Sequence, residues 1–294
     1  MLFGTVLLWA LNITVTKYMF QHGWRPLAYG TIRYFFAIAL FWVFTYIRER
    51  SFRIARGDLW LVGIAALMIF LNQLCFVYGV KLAHASTVAL LLGTTPIFIG
   101  LIALAFRLEH LPATFWIGAT ITFAGVALIA LANGGVGSSL TGTLIAIATA
   151  FTWACYSTSI APLMRRYSPY RISALVLAVG WVPLAAVAST QLGEQHFAFG
   201  WTVWLGFGYA VVGPLFLTNL LWFTAIDRVG ASRAALFGNL QPFFAVFFAL
   251  ILLNESLSSL EIAGGVLIFG GIAFERFARR PASEATEAIA AGPD

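Results

Sequence analysis

Ten apolar runs follow one another along the chain, at about 2–20, 27–47, 58–80, 85–106, 113–132, 140–162, 171–190, 201–226, 232–253 and 258–277. A helix rising 1.5 Å per residue needs roughly 20 residues to cross a hydrocarbon core of about 30 Å. A helix also satisfies its own backbone amides where no water can, so each run predicts a transmembrane helix. No stretch alternates apolar and polar residues as a transmembrane strand would. Connections are short and marked by Gly, Pro or charge, as at Arg48, Glu49 and Arg50 or Asn133, Gly134 and Gly135. The first run has neither a basic leader nor a small-residue cleavage site and is read as a retained span. Beyond Arg279 and Arg280 the chain turns to Pro, Ala, Ser and Glu, which predicts a disordered tail over 278–294.

Composition narrows the class. In 294 residues 61% are hydrophobic and 10% charged, with a mean hydropathy of +0.91, which excludes an ordinary soluble fold. The net charge of +6 does not point to nucleic acid, because the basic residues are scattered at the ends of apolar runs. Thirteen Lys and Arg fall on the side shared by the connections after runs 2, 4, 6 and 8 and by the C-terminus; three (Lys17, Arg25, Lys81) fall on the other. That bias predicts both termini in the cytoplasm of a bacterial-type inner-membrane protein. Cys75 and Cys155 lie inside apolar runs without metal-ligand spacing and read as small packing residues.

The two halves repeat. At an offset of 146 residues, Ala85 and Ser86 match Ala231 and Ser232, Pro96 matches Pro242, Glu109 matches Glu255, and Gly118 and Gly125 match Gly264 and Gly271. One or two inserted residues extend the match to Asn72 with Asn219, and to Trp9 and Ala10 with Trp153 and Ala154. A five-helix unit leaves its copy starting on the opposite side, so the expected fold is an all-α polytopic membrane protein of ten helices in two inverted five-helix repeats. The expected units are 1–132 and 140–277, followed by the tail. Inverted repeats suit alternating access, with a solute held near the midplane between halves.

These residues resemble the drug/metabolite transporter superfamily in its EamA-type branch. The resemblance is carried by Trp9 through Asn12 with Lys17, by Arg33, Tyr34 and Phe35, and by the paired stretches from Ala85 through Pro96 to Leu111 and from Ala231 through Pro242 to Leu257. It implies ten helices in two inverted repeats and export of amino acids, their relatives, or varied metabolites and drugs. Bacterial aromatic amino-acid exporters are the match it suggests. Lys17 and Arg33 have no counterparts in the second half, so roles assigned to them are not symmetric.

Polar groups at membrane depth are candidates for a pathway. Thr5, Trp9, Asn12 and Thr16 share one face of run 1, and Thr149, Trp153 and Tyr156 share one in run 6. These faces are expected either to meet across a cavity or to pack in the bundle with hydroxyls bonded back to their own helices. Gly93, Thr94, Thr95 and Pro96 in run 4, and Phe237, Gly238, Asn239, Gln241 and Pro242 in run 9, predict bent helices. The carbonyls of Leu92 and Gly238 should lose their amide partners there, making Pro96 and Pro242 gate elements or static kinks. Asn72, Gln73, Tyr78, Asn219 and Trp222 complete an uncharged lining suited to a zwitterion with an aromatic or apolar side chain, unless Tyr78 and Trp222 serve as interfacial anchors. Arg33 either meets a substrate carboxylate or, as the favoured reading, pegs helix C-terminal carbonyls; Lys17 is expected to snorkel. Glu109 and Glu255 should cap the helices that follow them, and the glycines seven apart mark close helix packing.

No Asp, Glu or His lies near the middle of a run, so uncoupled or exchange transport is expected, with a proton-coupled drug or nucleoside-type exporter as the alternative. The paired aspartates or Ser/His dyad of an intramembrane enzyme are missing, as are a phosphate-binding loop and a channel-like charged ring. The expected partners are a small-molecule substrate and the lipid bilayer, without nucleic acid, cofactor or metal, in a monomer or weak homodimer.

Overall fold

The structure is a computed structural model that describes residues 2–106, 113–132, 138–218, 221 and 240–291. The helices are α1 (Leu2–Gln21), α2 (Pro26–Glu49), α3 (Leu59–Leu82), α4 (Ala85–Leu92), α5 (Thr95–Ala105), α6 (Ala113–Ala132), α7 (Ser138–Met164), α8 (Pro169–Gly193), α9 (Trp201–Val211), α10 (Gln241–Leu252) and α11 (Ser259–Ala291). A π-helical turn, Val212–Leu217, prolongs α9. No strand occurs among the described residues. Six helical stretches are long and apolar enough to cross a membrane, and four shorter apolar helices accompany them.

Local chemistry sets the ends. Pro26 and Pro169 open α2 and α8 in the first turn, where a missing amide donor costs nothing, and the Ser168 hydroxyl accepts from the Arg171 amide at 3.3 Å. Two expectations change here. Run 85–106 is not one bent helix but two, α4 and α5, separated by Gly93 and Thr94. And α11 continues to Ala291, past the point where composition predicts a tail, since Ala and Glu favour helix even without an apolar stripe.

The principal helix pairs are α6 with α11, α3 with α7, α2 with α8, α1 with α10, α3 with α8 and α4 with α10. Each joins a helix from 2–132 to one from 138–291, so the two stretches interleave rather than stand side by side. The α6–α11 contact is backbone on backbone: a Cβ at Gly264 would lie 2.6 Å from the Gly125 carbonyl oxygen, and one at Gly271 only 2.5 Å from that of Gly118. Their seven-residue spacing predicted this close face.

Polar clasps close both ends of the bundle. At one, Arg25 pairs with Glu194, the Arg25 amide donates to Gln195 Oε1 at 2.8 Å, and the Leu27 amide donates to Gln191 Oε1 at 2.9 Å. At the other, Arg166 meets Asp58 at 2.5 Å, Tyr167 donates to Asp58 at 2.7 Å, and Arg171 donates to Glu49 at 2.6 Å.

Candidate functional site

Midway along α1, Asn12 faces Arg33, which lies two turns into α2. The Arg33 Nη1 donates to Asn12 Oδ1 at 3.1 Å and Nη2 to Gln73 Oε1 of α3 at 3.4 Å. Arg33 is 2% exposed and Gln73 1%. Three rings surround the guanidinium, Tyr29 at 5.0 Å and Tyr34 and Phe76 at 5.7 Å from Cζ. The Tyr29 hydroxyl lies 3.3 Å from that of Thr16, which extends the cluster back to α1. Gly30 makes room for it, since a Cβ there would stand 2.9 Å from Gln73 Nε2. Two buried donors in this cluster, Arg33 Nε and Gln73 Nε2, have no hydrogen-bond partner.

Arg33 and Lys17 therefore both depart from their expected roles. Lys17 Nζ donates to the carbonyls of Val80 (3.0 Å), Lys81 (3.3 Å) and Ala83 (2.6 Å) at the end of α3, so it pegs a helix C-terminus instead of snorkelling. Arg33 reaches side-chain amides, not helix-end carbonyls, because its position within α2 is remote from any helix end.

Asn72 and Gln73, adjacent in α3, point about 100° apart and part company. Asn72 Nδ2 donates to the Thr149 carbonyl at 2.9 Å and to Thr152 Oγ1 at 3.2 Å, binding α3 to α7. Tyr78 accepts from Gln191 of α8 at 3.1 Å. Trp9 Nε1 donates to the Pro214 carbonyl at 3.2 Å, in the π-helical turn where Pro214 supplies no amide to the ladder. In α7, Trp153 and Tyr156 stand 5.3 Å apart, and the Thr149 hydroxyl bonds back to the Ile145 carbonyl at 2.9 Å. The faces of α1 and α7 do not form one of the principal helix pairs.

The helix break corrects another expectation. Pro96, in the first turn of α5, has no amide to offer Leu92, yet the Leu92 carbonyl is not left open: the Thr95 hydroxyl donates to it at 2.7 Å. Thr94 does the same for Leu91, also at 2.7 Å. Both hydroxyls re-satisfy backbone that lipid could not. Pro242 opens α10 in the same way, and a Cβ at Gly93 would lie 3.6 Å from its Cγ, so the break in run 4 abuts the start of α10 beside Gln241. Asn219, Trp222, Phe237 and Asn239, with Gly238, lie outside the described residues.

Glu255 caps a different helix from the one expected. It accepts from the amides of Ala85 (2.8 Å) and Ser86 (3.0 Å) and from the Ser86 hydroxyl (2.7 Å), at the start of α4, with His84 Nδ1 3.7 Å away. Burial alone would push this carboxyl up, but the nearby His84 imidazole and the bonds from Ser86 and Ala85 outweigh it and hold it down at about 2. The same pairing raises the His84 imidazole above its ordinary value. The helix after Glu255 is capped instead by Ser258 and Glu261: the Ser258 amide donates to Glu261 Oε2 at 3.0 Å, and the Glu261 amide to the Ser258 hydroxyl at 3.2 Å. That capping box was legible as Ser followed three residues later by Glu.

Comparison with known proteins fits this picture. The EamA-like transporter family matches residues 1–131 and again residues 140–275. The chain belongs to that family. This transporter is 28% identical over 213 residues to YdfC, an uncharacterized transporter of Bacillus subtilis, covering 72% of this chain and 68% of that one. A probable amino-acid metabolite efflux pump of Salmonella typhimurium is 25% identical over 286 residues, 94% of this chain and 93% of its own. A probable terminal-alkyne amino-acid exporter of Streptantibioticus cattleyicolor is 28% identical over 227 residues, 71% and 68% of the two chains. A crystal structure of a protein 21% identical shares the fold, with a TM-score of 0.65 over 96% of each chain.

Proposed function

We propose that this EamA-family membrane transporter exports amino acids with aromatic or apolar side chains by alternating access, uncoupled or by exchange. The observation that carries the reading is the polarity of the buried interior. At bilayer depth the described helices present amides, hydroxyls, aromatic rings and one guanidinium, while the carboxylates of Glu49, Asp58, Glu194, Glu255 and Glu261 all stand at helix ends. Such an interior suits a zwitterion with an apolar body, and the carboxylates named here stand away from the helix centres along which a proton relay would run. Two relatives whose names specify amino-acid substrates support the substrate class.

Alternating access between inverted halves draws support from the packing. Exchanging each span for the one five further along turns α3–α7 into α9–α1 and α1–α10 into α7–α4 and α7–α5, all of them packed pairs, and leaves α2–α8, α4–α10 and α6–α11 unchanged. In the proposed orientation both termini are cytoplasmic in the inner membrane, so the Arg25–Glu194 clasp faces outward and the Asp58–Arg166 clasp inward.

Reconstituted protein should show saturable counterflow of phenylalanine or leucine, with no requirement for an imposed pH gradient. Uptake that vanishes under an uncoupler would overturn the uncoupled mechanism, and counterflow of nucleosides or cationic drugs alone would overturn the substrate class.

A further inference from the structure

A guanidinium is always charged, and its burial is strongly unfavourable unless a counter-charge meets it. Arg33 has no carboxylate partner among the described residues: Arg171 takes Glu49, Arg166 takes Asp58, Arg25 takes Glu194, and the start of α4 with His84 takes Glu255. Its acceptors are two neutral amides, and the three rings around it meet the cation with their π-electrons without accepting its remaining N–H groups. The donors left over, Arg33 Nε and Gln73 Nε2, belong to two side chains already bonded to one another.

We infer that Arg33, held between Asn12 and Gln73, is the receptor for the carboxylate of the transported solute. This rests on the reading of the chain as an amino-acid exporter and names the residue that reads the acid group. A carboxylate offers two oxygens with about four acceptor positions, enough to engage the guanidinium fork and the spare Gln73 donor together. Engaging it releases Asn12 Oδ1 and Gln73 Oε1 from Arg33, and both are acceptors suited to an α-ammonium group. Tyr29, Tyr34 and Phe76 then form an apolar wall for the side chain. The arrangement selects a free α-amino acid over its amide or its decarboxylated amine.

The test is uptake by proteoliposomes of L-phenylalanine, L-phenylalaninamide and benzoate, for the parent, Arg33→Gln and Arg33→Lys. The parent should favour the acid over the amide. Arg33→Gln should lose that preference, acid uptake falling about tenfold or more, as for a lost charge-assisted hydrogen bond, while amide uptake holds. Arg33→Lys keeps the charge without the fork, so it should raise KM for the acid severalfold and leave that for the amide unchanged; this variant carries the test where Arg33→Gln does not fold. Equal losses for acid and amide, or an unchanged acid preference in Arg33→Gln, would overturn the assignment. A parent that moves benzoate but neither phenylalanine nor its amide would sink the amino-acid reading alone, and Arg33 would then stand or fall on whether Arg33→Gln abolishes benzoate uptake.

Discussion

Glu255 gathers three donors and one imidazole at the start of α4, and Lys17 closes the neighbouring end of α3 on three carbonyls. Both side chains satisfy backbone groups that helix ends leave open. The linkage has a definite sign. The Glu255 carboxyl, held at about 2 against an ordinary 4.5, contributes stability that is full above pH 4.5 and is lost as pH falls toward 2. The raised His84 contributes stability below its ordinary 6.5, lost as pH rises through its folded value. Glu255→Gln should lower stability by roughly 1–3 kcal/mol at pH 5–6 and flatten the acid limb, so its thermal-unfolding curve in detergent converges on that of the parent only as pH nears 2. Persistence of the parent's acid limb in Glu255→Gln would contradict this. The sequence singled out Lys17, Arg33 and Glu255 but not what each touches, because their partners lie on other helices.

Among the elements, α4 and α5 show how a membrane helix is interrupted without stranding its backbone. Gly93 and Thr94 permit the break, Pro96 starts the next helix, and the Thr94 and Thr95 hydroxyls take up the carbonyls of Leu91 and Leu92. The π-helical turn at Pro214 combines both devices, its carbonyl accepting from Trp9 of α1 at 3.2 Å and from the hydroxyl of Thr218 one turn on at 2.5 Å. The α6–α11 pair is the rigid counterpart. Valine at Gly264 would press on the Gly125 carbonyl, and backbone cannot swing aside as a side chain can, so Gly264→Val should cost roughly 1–3 kcal/mol. A Gly264→Val protein with unchanged thermal unfolding would contradict the close contact. Gly30→Ala meets the far end of Gln73 at 2.9 Å and Val77 Cγ1 at 3.3 Å, and should cost a little stability while raising KM for the transported solute.

Across the whole molecule, a chain of aromatic contacts links one face to the centre. Trp24, in the α1–α2 turn, is 2% exposed and stacks on Phe199 at 5.0 Å and Phe207 at 5.2 Å; its edge contact with Tyr29 leads directly to Arg33. With the Arg25–Glu194 clasp beside it, this box stands between the site and the proposed outer face. In a protein stripped of Cys75 and Cys155, Trp24→Ala should raise labelling of a Thr16→Cys thiol by an impermeant reagent severalfold. An unchanged rate would show that the barrier lies elsewhere.

The chain by itself determined the solvent, the number of apolar runs, the small-residue faces and the family, because hydropathy and spacing act within one segment and need no partner to be read. Tertiary structure decided the partners: that Asn12 and Gln73 meet Arg33 while Asn72 turns to α7, that Thr95 occupies the Leu92 carbonyl, and that Glu255 caps a helix of the other half. Polar groups in a bilayer must find partners, but nothing along a single helix says which neighbouring helix will supply them.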